Sequence, residues 1–148
     1  MNNYEINNST LAIIPISKNC SKVIEKENNY IINNSTTKII DHSCKYFGSS
    51  YIGRCEGTKN LVGFNYKSPI IIEESKEIIF FPTSSPRFEN CSWISLNNID
   101  RYIKRNNVSS IYFKNGLIID LEISYSSLEN QILRANLLES KLRQRKNI

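Results

Sequence analysis

The chain has 148 residues, of which 40% are hydrophobic and 22% charged, and a formal net charge of +5. That length suits a single domain with one core, burying roughly two-thirds of the surface its unfolded form exposes, and the composition excludes a disordered chain. No apolar run approaches the roughly 18 residues of a membrane span, and Met1-Asn2-Asn3-Tyr4-Glu5 opens no secretory leader, so a soluble cytoplasmic protein with no membrane contact is expected.

In chain order, Leu11 to Ile16 is an apolar run rich in β-branched residues, and Lys22 to Glu27 is expected to pair with Tyr30 to Ile32 across Asn28-Asn29. An Asn pair can supply the positive φ of a hairpin turn. Asn34-Ser35-Thr36 offers cap oxygens ahead of Ile40, Cys44 and Phe47, spaced as one helical face, and Gly48 is placed to end that central helix. Ser49 to Gly63 alternates polar and apolar residues around Gly53 and Gly57, which predicts a short broken helix framed by tight turns. Pro69 to Ile72 and Ile78 to Phe81 read as a hairpin buried on one face, with Glu73 to Glu77 as its solvated turn. Pro82 to Asn90 should be an exposed irregular loop, because proline lacks the donor a central strand needs.

Beyond it, Ser92 to Ser95, Ile99 to Lys104, Val108 to Phe113 and Leu117 to Ile123 read as successive strands, the last two joined by the hairpin signal Asn115-Gly116. Ser126 and Glu129 form a capping box, and Leu128, Ile132, Ala135, Leu138 and Leu142 follow as one apolar helical stripe widened by Leu133 and Leu137. That stripe serves either the chain's own sheet or an oligomer interface. Arg134, Lys141, Arg143, Arg145 and Lys146 load the second half of this helix with positive charge, which the helix dipole favours. The class is α+β: a largely antiparallel sheet, a central helix, a short broken helix and a C-terminal amphipathic helix in a single domain over 1–148.

Catalytic chemistry finds no convergent groups. The one histidine sits in Asp41-His42-Ser43, and neighbouring helical residues point about 100° apart, so adjacency makes no triad. Cys20, Cys44, Cys55 and Cys91 have no C-x-x-C spacing, which argues against structural zinc and for free thiols acting as small core residues, with redox sensing as the sharper alternative. Neither a Walker-type nor a dinucleotide glycine motif is present, and no cofactor or metal is implied. The positive balance favours a polyanionic partner. Tyr46, Phe47, Tyr51 and Trp93 read as core before they read as stacking groups.

The stretch from His42 to Arg54, His42-Ser43-Cys44-Lys45-Tyr46-Phe47-Gly48-Ser49-Ser50-Tyr51-Ile52-Gly53-Arg54, resembles the signature segment of the competence transcription factor (ComK) family. Three further blocks agree in order: Lys67-Ser68-Pro69-Ile70, then Phe80-Phe81-Pro82-Thr83 leading to Trp93-Ile94-Ser95, and finally Ile123 to Gln131. The resemblance implies a regulator of DNA-uptake genes that binds A/T-rich double-stranded promoter boxes as a homo-oligomer, mainly through the minor groove. RNA polymerase and a proteolytic adaptor are further partners it implies, through a C-terminal region of longer members. This sequence stops at Ile148, soon after the amphipathic helix, so the expectation is a short form in which DNA binding is retained and activation and adaptor recognition are open. Cys55 follows Arg54 where a basic residue is common in the family. The order of strands feeding a C-terminal helix is also similar to LytTR-type DNA-binding domains.

Candidate phosphate contacts are Lys45, Arg54 and Lys59 in the glycine-framed signature segment, Arg87 on the proline-bracketed loop, and Lys104, Arg105 and Lys114 about the turns of the final strands. The alternative to a DNA-binding regulator is a protein-interaction module that modulates a full-length relative.

Overall fold

A computed structural model describes residues 1–147. The elements are β1 (Thr10–Ser17), β2 (Cys20–Glu25), β3 (Asn29–Ile32), α1 (Thr36–Tyr46), α2 (Tyr51–Val62), β4 (Ile70–Glu73) and β5 (Ile78–Pro82), followed by β6 (Trp93–Ser95), β7 (Ile99–Arg105), β8 (Val108–Phe113), β9 (Ile118–Leu121) and α3 (Tyr125–Lys146). Six strands form one sheet in the order β3-β2-β1-β6-β5-β4, and β7-β8-β9 form a second. Every pairing is antiparallel, so the expected α+β architecture is the one found.

From β1 to β4 the larger sheet is buried on both faces, while at the β3 edge Ile31 is exposed. Ile13, Trp93, Phe80, Ile70 and Ile72 point to one side and pack with Ile39, Ile40 and Cys44 of α1. Ala12, Ile94, Phe81, Ile79 and Ile71 point to the other and meet α3 and the inner face of the small sheet. The register makes this separation strict, since Ala12 pairs with Ile94 and Ile94 with Phe81, while Ile13 pairs with Trp93. Double-sided burial explains why β4 and β5 are unbroken apolar runs and not alternating ones, and why a hairpin buried on one face was too modest an expectation.

Helix α1 begins where Ser35 Oγ accepts a hydrogen bond from Lys38 N and ends at Gly48, whose φ of +89° and free surroundings make it the left-handed residue after the helix. The Ser49 to Gly63 segment differs from expectation. It is an unbroken helix of 12 residues, capped by Ser50 at its start and by Gly63, at φ +82°, at its end. Two interior glycines cost such a helix about 1 kcal/mol each, but distant groups offset them. Asp41 Oδ1 accepts from Tyr51 N at 2.9 Å, and buried Thr58 Oγ1 donates to Pro69 O at 2.7 Å.

Further expectations are met only in part. The turn after β2 closes through Glu25 N to Asn28 O, and neither Asn28 nor Asn29 has positive φ. The β8–β9 hairpin forms at Asn115-Gly116 as expected, with Gly116 alone taking positive φ. Helix α3 starts two residues before the anticipated capping box: Ser124 Oγ accepts from Ser127 N, and Tyr125 packs on Tyr102 with ring centroids 5.5 Å apart. The stripe Leu128, Ile132, Ala135, Leu138 and Leu142 is buried against the chain's own sheets, whereas Leu133 and Leu137 lie outside it, exposed. Of the four aromatics read as core, Trp93 is buried and Phe47 and Tyr51 pack against its cluster, but Tyr46 is on the surface.

All four cysteines are free thiols. Burial pushes the Cys44 thiol up to about 12 and the Cys91 thiol up to about 11. Because the thiolate is the nucleophile, Ellman's reagent at pH 8 is expected to titrate at most Cys20 and Cys55 in the native chain, and all four thiols after unfolding. Rapid native reaction at Cys44 or Cys91 would show that the core opens.

Asp41 is held below the usual carboxylate range, first by the Tyr51 amide and then by Lys45. A depressed native value contributes stability above the unfolded carboxyl pKa of about 3.9, lost as pH falls through the native one. Asp41→Asn keeps the acceptor and removes the charge. It is expected to melt below the wild type at pH 7, with the gap in Tm closing below about pH 4.

Gln131, only 1% exposed, donates from Nε2 to Lys67 O at 2.9 Å and Pro82 O at 2.7 Å. Gln131→Leu removes the side-chain donor to the buried Pro82 carbonyl, while Lys67 O keeps Arg134, and it is expected to cost about 1–3 kcal/mol, read as a lowered urea midpoint.

Candidate nucleic-acid interface

The segment between Gly63 and Pro69 leaves the end of α2, crosses the first turns of α3 and enters β4. It is strapped to α3 by two side chains. Arg134 lays its guanidinium over the Phe64 ring, 4.3 Å from the centroid, and donates to Tyr66 O at 2.8 Å and Lys67 O at 3.0 Å. Gln131 donates to the same Lys67 carbonyl and hydrogen-bonds Arg134 through Oε1. Partial burial lowers the pKa of Arg134, yet a guanidinium remains charged at neutral pH. Lys67 sits at φ +48°, a left-handed conformation that costs a non-glycine residue on the order of 1 kcal/mol. Three donated hydrogen bonds around it hold that conformation.

The strap shapes the surface. One cleft, between the Pro82–Asn90 loop and α2, is lined by Thr37, Tyr51, Tyr66, Lys67, Pro86 and Arg87. A second, along α2, includes Ile52, Lys59, Phe64, Tyr66 and Lys67, with Glu56 as its one carboxylate. A third lies between the strap and α3, with Ser127, Asn130 and Arg134 on its wall. Tyr66 and Lys67 belong to all three. Next to Ser127, Ser126 opens a fourth cleft with Tyr125, Lys104, Asn106 and Asn107. The first three adjoin around Tyr66 and Lys67, and the fourth, which shares no residue with them, begins at the neighbouring residue of α3; taken together they make a track from Arg87 and Lys59, past Tyr66, to Lys104. Cations and neutral hydrogen-bonding side chains dominate its walls.

Of the residues expected from sequence to contact phosphate, Lys59, Arg87 and Lys104 line this track. The others are placed apart. Lys45 is exposed on α1 and pairs with Asp41 at 2.9 Å. Arg54 lies mostly under the surface, ion-paired to Glu74 at 3.1 Å, with its Nε lacking a partner. Arg105 donates to the Tyr112 hydroxyl at 2.7 Å and, as the neighbour of Lys104 along β7, points to the opposite face of the small sheet. Lys114 sits in the β8–β9 turn, at the end of β8 away from Lys104. Sequence reasoning missed Lys67, Tyr66 and Arg134. Lys67 was legible as the first residue of a family block, but Arg134 read only as charge in the second half of a helix.

His42 does not join a catalytic group; its Nε2 lies 2.6 Å from Glu5 Oε2 and ties α1 to the N-terminal segment. Among the described residues, no cluster of three or more His, Cys, Asp or Glu could hold a metal ion. No helix among them is long and apolar enough to cross a membrane.

Comparison with known proteins adds a separate line. The family model described as ComK protein matches residues 1–147. The competence transcription factor of Bacillus subtilis (strain 168) is 37% identical over 149 residues, an alignment covering 98% of this chain and 78% of that protein. No solved structure matches. With the four ordered sequence blocks, these matches establish that the chain belongs to the ComK family of competence transcription regulators.

Proposed function

We propose that this chain regulates competence genes by binding A/T-rich promoter DNA, mainly in the minor groove, through the track that runs from Arg87 and Lys59 to Lys104. The observation that carries the reading is the convergence of Lys59, Lys67 and Arg87 on clefts that share Tyr66. Cations spaced along a groove neutralise successive phosphates and release counterions, which supplies affinity without sequence preference. Asn65, Asn106, Asn107 and Asn130 between them offer amide donors for the A N3 and T O2 acceptors that an A·T pair presents in the minor groove. A narrow A/T minor groove also concentrates negative potential and attracts inserted Arg or Lys. The net charge of +5 supports the same polarity.

No catalytic role is proposed. Self-association, which the family resemblance implies, is supported by Leu133 and Leu137, exposed four residues apart on the solvent side of α3.

Gel retardation tests the reading. At low salt the chain is expected to shift A/T-rich boxes at concentrations that leave G·C-rich duplex free, with the logarithm of the affinity falling linearly in log salt. Lys67→Ala and Arg87→Ala should each weaken binding and reduce the salt slope by about 1, whereas Lys18→Ala, exposed in the β1–β2 turn, should change neither. Equal binding to both duplexes, or unchanged slopes in the track variants, sinks the assignment.

A further inference from the structure

We infer that Tyr66 stacks against a base or inserts at a base step of the bound duplex, an inference that rests on the DNA interface proposed above. Tyr66 is 75% exposed, although its segment is tied to α3 through side-chain hydrogen bonds. Arg134 anchors its own carbonyl at 2.8 Å, and the next carbonyl, of Lys67, takes donors from both Gln131 and Arg134. The same guanidinium covers one face of half-buried Phe64, whereas Tyr66 has no such cover. A charged, partly buried arginine and a left-handed lysine are thus committed to fixing backbone on either side of a ring that itself packs on no other aromatic among the described residues.

Packing does not account for that arrangement, whereas presentation does. A rigid backbone lowers the conformational entropy lost when the side chain is ordered by a ligand. Lys59, Lys67 and Arg87 surround the ring, so a duplex whose phosphates met those cations would bring its groove floor to Tyr66. Ile52, 69% exposed in the same cleft, adds an apolar neighbour for an unstacked base. The other large exposed aromatics differ in setting. Tyr46 makes an edge contact with Phe47 on α1, and Phe88 lies on the loop after β5, outside the clefts that share Tyr66. Stacking needs only the ring face and tolerates any base, and proteins that use the minor groove commonly part a base step with such a wedge.

The experiment uses the full chain and a set of A/T-rich duplexes carrying 2-aminopurine at one position each. Wild type is expected to raise the fluorescence several-fold at one step of the box and to leave the remaining steps unchanged. Tyr66→Ala should abolish that rise and weaken binding about tenfold, while keeping the salt slope, because phosphate contacts are retained. Tyr66→Phe should preserve both signal and affinity. A tight-binding wild type with no fluorescence rise at any step overturns the inference, as does a Tyr66→Ala variant with undiminished signal. If Phe behaves as Ala, the hydroxyl and not the ring is the active group, and stacking is wrong. A wild type that binds none of the duplexes overturns the DNA reading itself, an outcome distinct from failure of Tyr66 alone.

Discussion

Two backbone carbonyls from separate parts of the chain, those of Lys67 and Pro82, converge on the buried amide of Gln131. The bond to Pro82 O is buried and the bond to Lys67 O partly so, and an unsatisfied carbonyl in the interior costs about 1–3 kcal/mol. One side chain therefore joins α3, the strap that precedes β4 and the end of β5. Through Lys67 it fixes where Tyr66 stands; through Pro82 it fixes where the loop bearing Arg87 departs. The surface assigned to DNA is thus shaped by a neutral hydrogen-bonding group that touches no ligand. Three of the four blocks by which the sequence resembles its family meet at this one point.

The second constraint is that the middle of the large sheet, from β1 to β4, has no wet face. With α1 on one side and α3 and the small sheet on the other, its strands must be apolar in both directions. The polar business of the chain is pushed to the rims, where connections leave the layers. The α2–β4 strap, the β5–β6 loop and the β7–β8 turn are such rims, and Lys67, Arg87 and Lys104 come from them or border them. An acidic rim has a different use: the β4–β5 turn takes Arg54 from α2 at Glu74 and Arg143 and Lys146 from α3 at Glu77. These cations brace the layers, and pairing leaves them less field to offer a polyanion than the unpaired ones along the track.

Legibility followed locality. Strands β4, β5 and β8 were visible as short β-branched runs, Gly48 and Gly63 marked helix ends, and the buried stripe of α3 was spelled out at helical spacing. Where a distant partner decides the outcome, the sequence misled. Gly53 and Gly57 argued for a broken α2, because Asp41 and Pro69, which steady that helix, are not its neighbours in sequence. Arg54 looked as available as Lys59 in the same glycine-framed segment, yet Glu74 lies over one and nothing comparable over the other. Lys104 and Lys114 seemed clustered because both border turns, but β8 stands between them.

The sequence by itself determined the antiparallel α+β class, the location of most elements, the positive charge and the family, because each is written in short-range pattern, composition or ordered motifs. Only the tertiary structure decided which cations share a surface and which are spent on neighbouring carboxylates. It alone exposed Tyr66 beside a half-buried Phe64, two residues earlier in the same polar connection. The physical reason is that periodicity reports which face of an element is buried, while a binding surface depends on the distances between faces of different elements. Those distances are set by long-range contacts such as Gln131 with Lys67 and Pro82, and no local stretch of the chain encodes them.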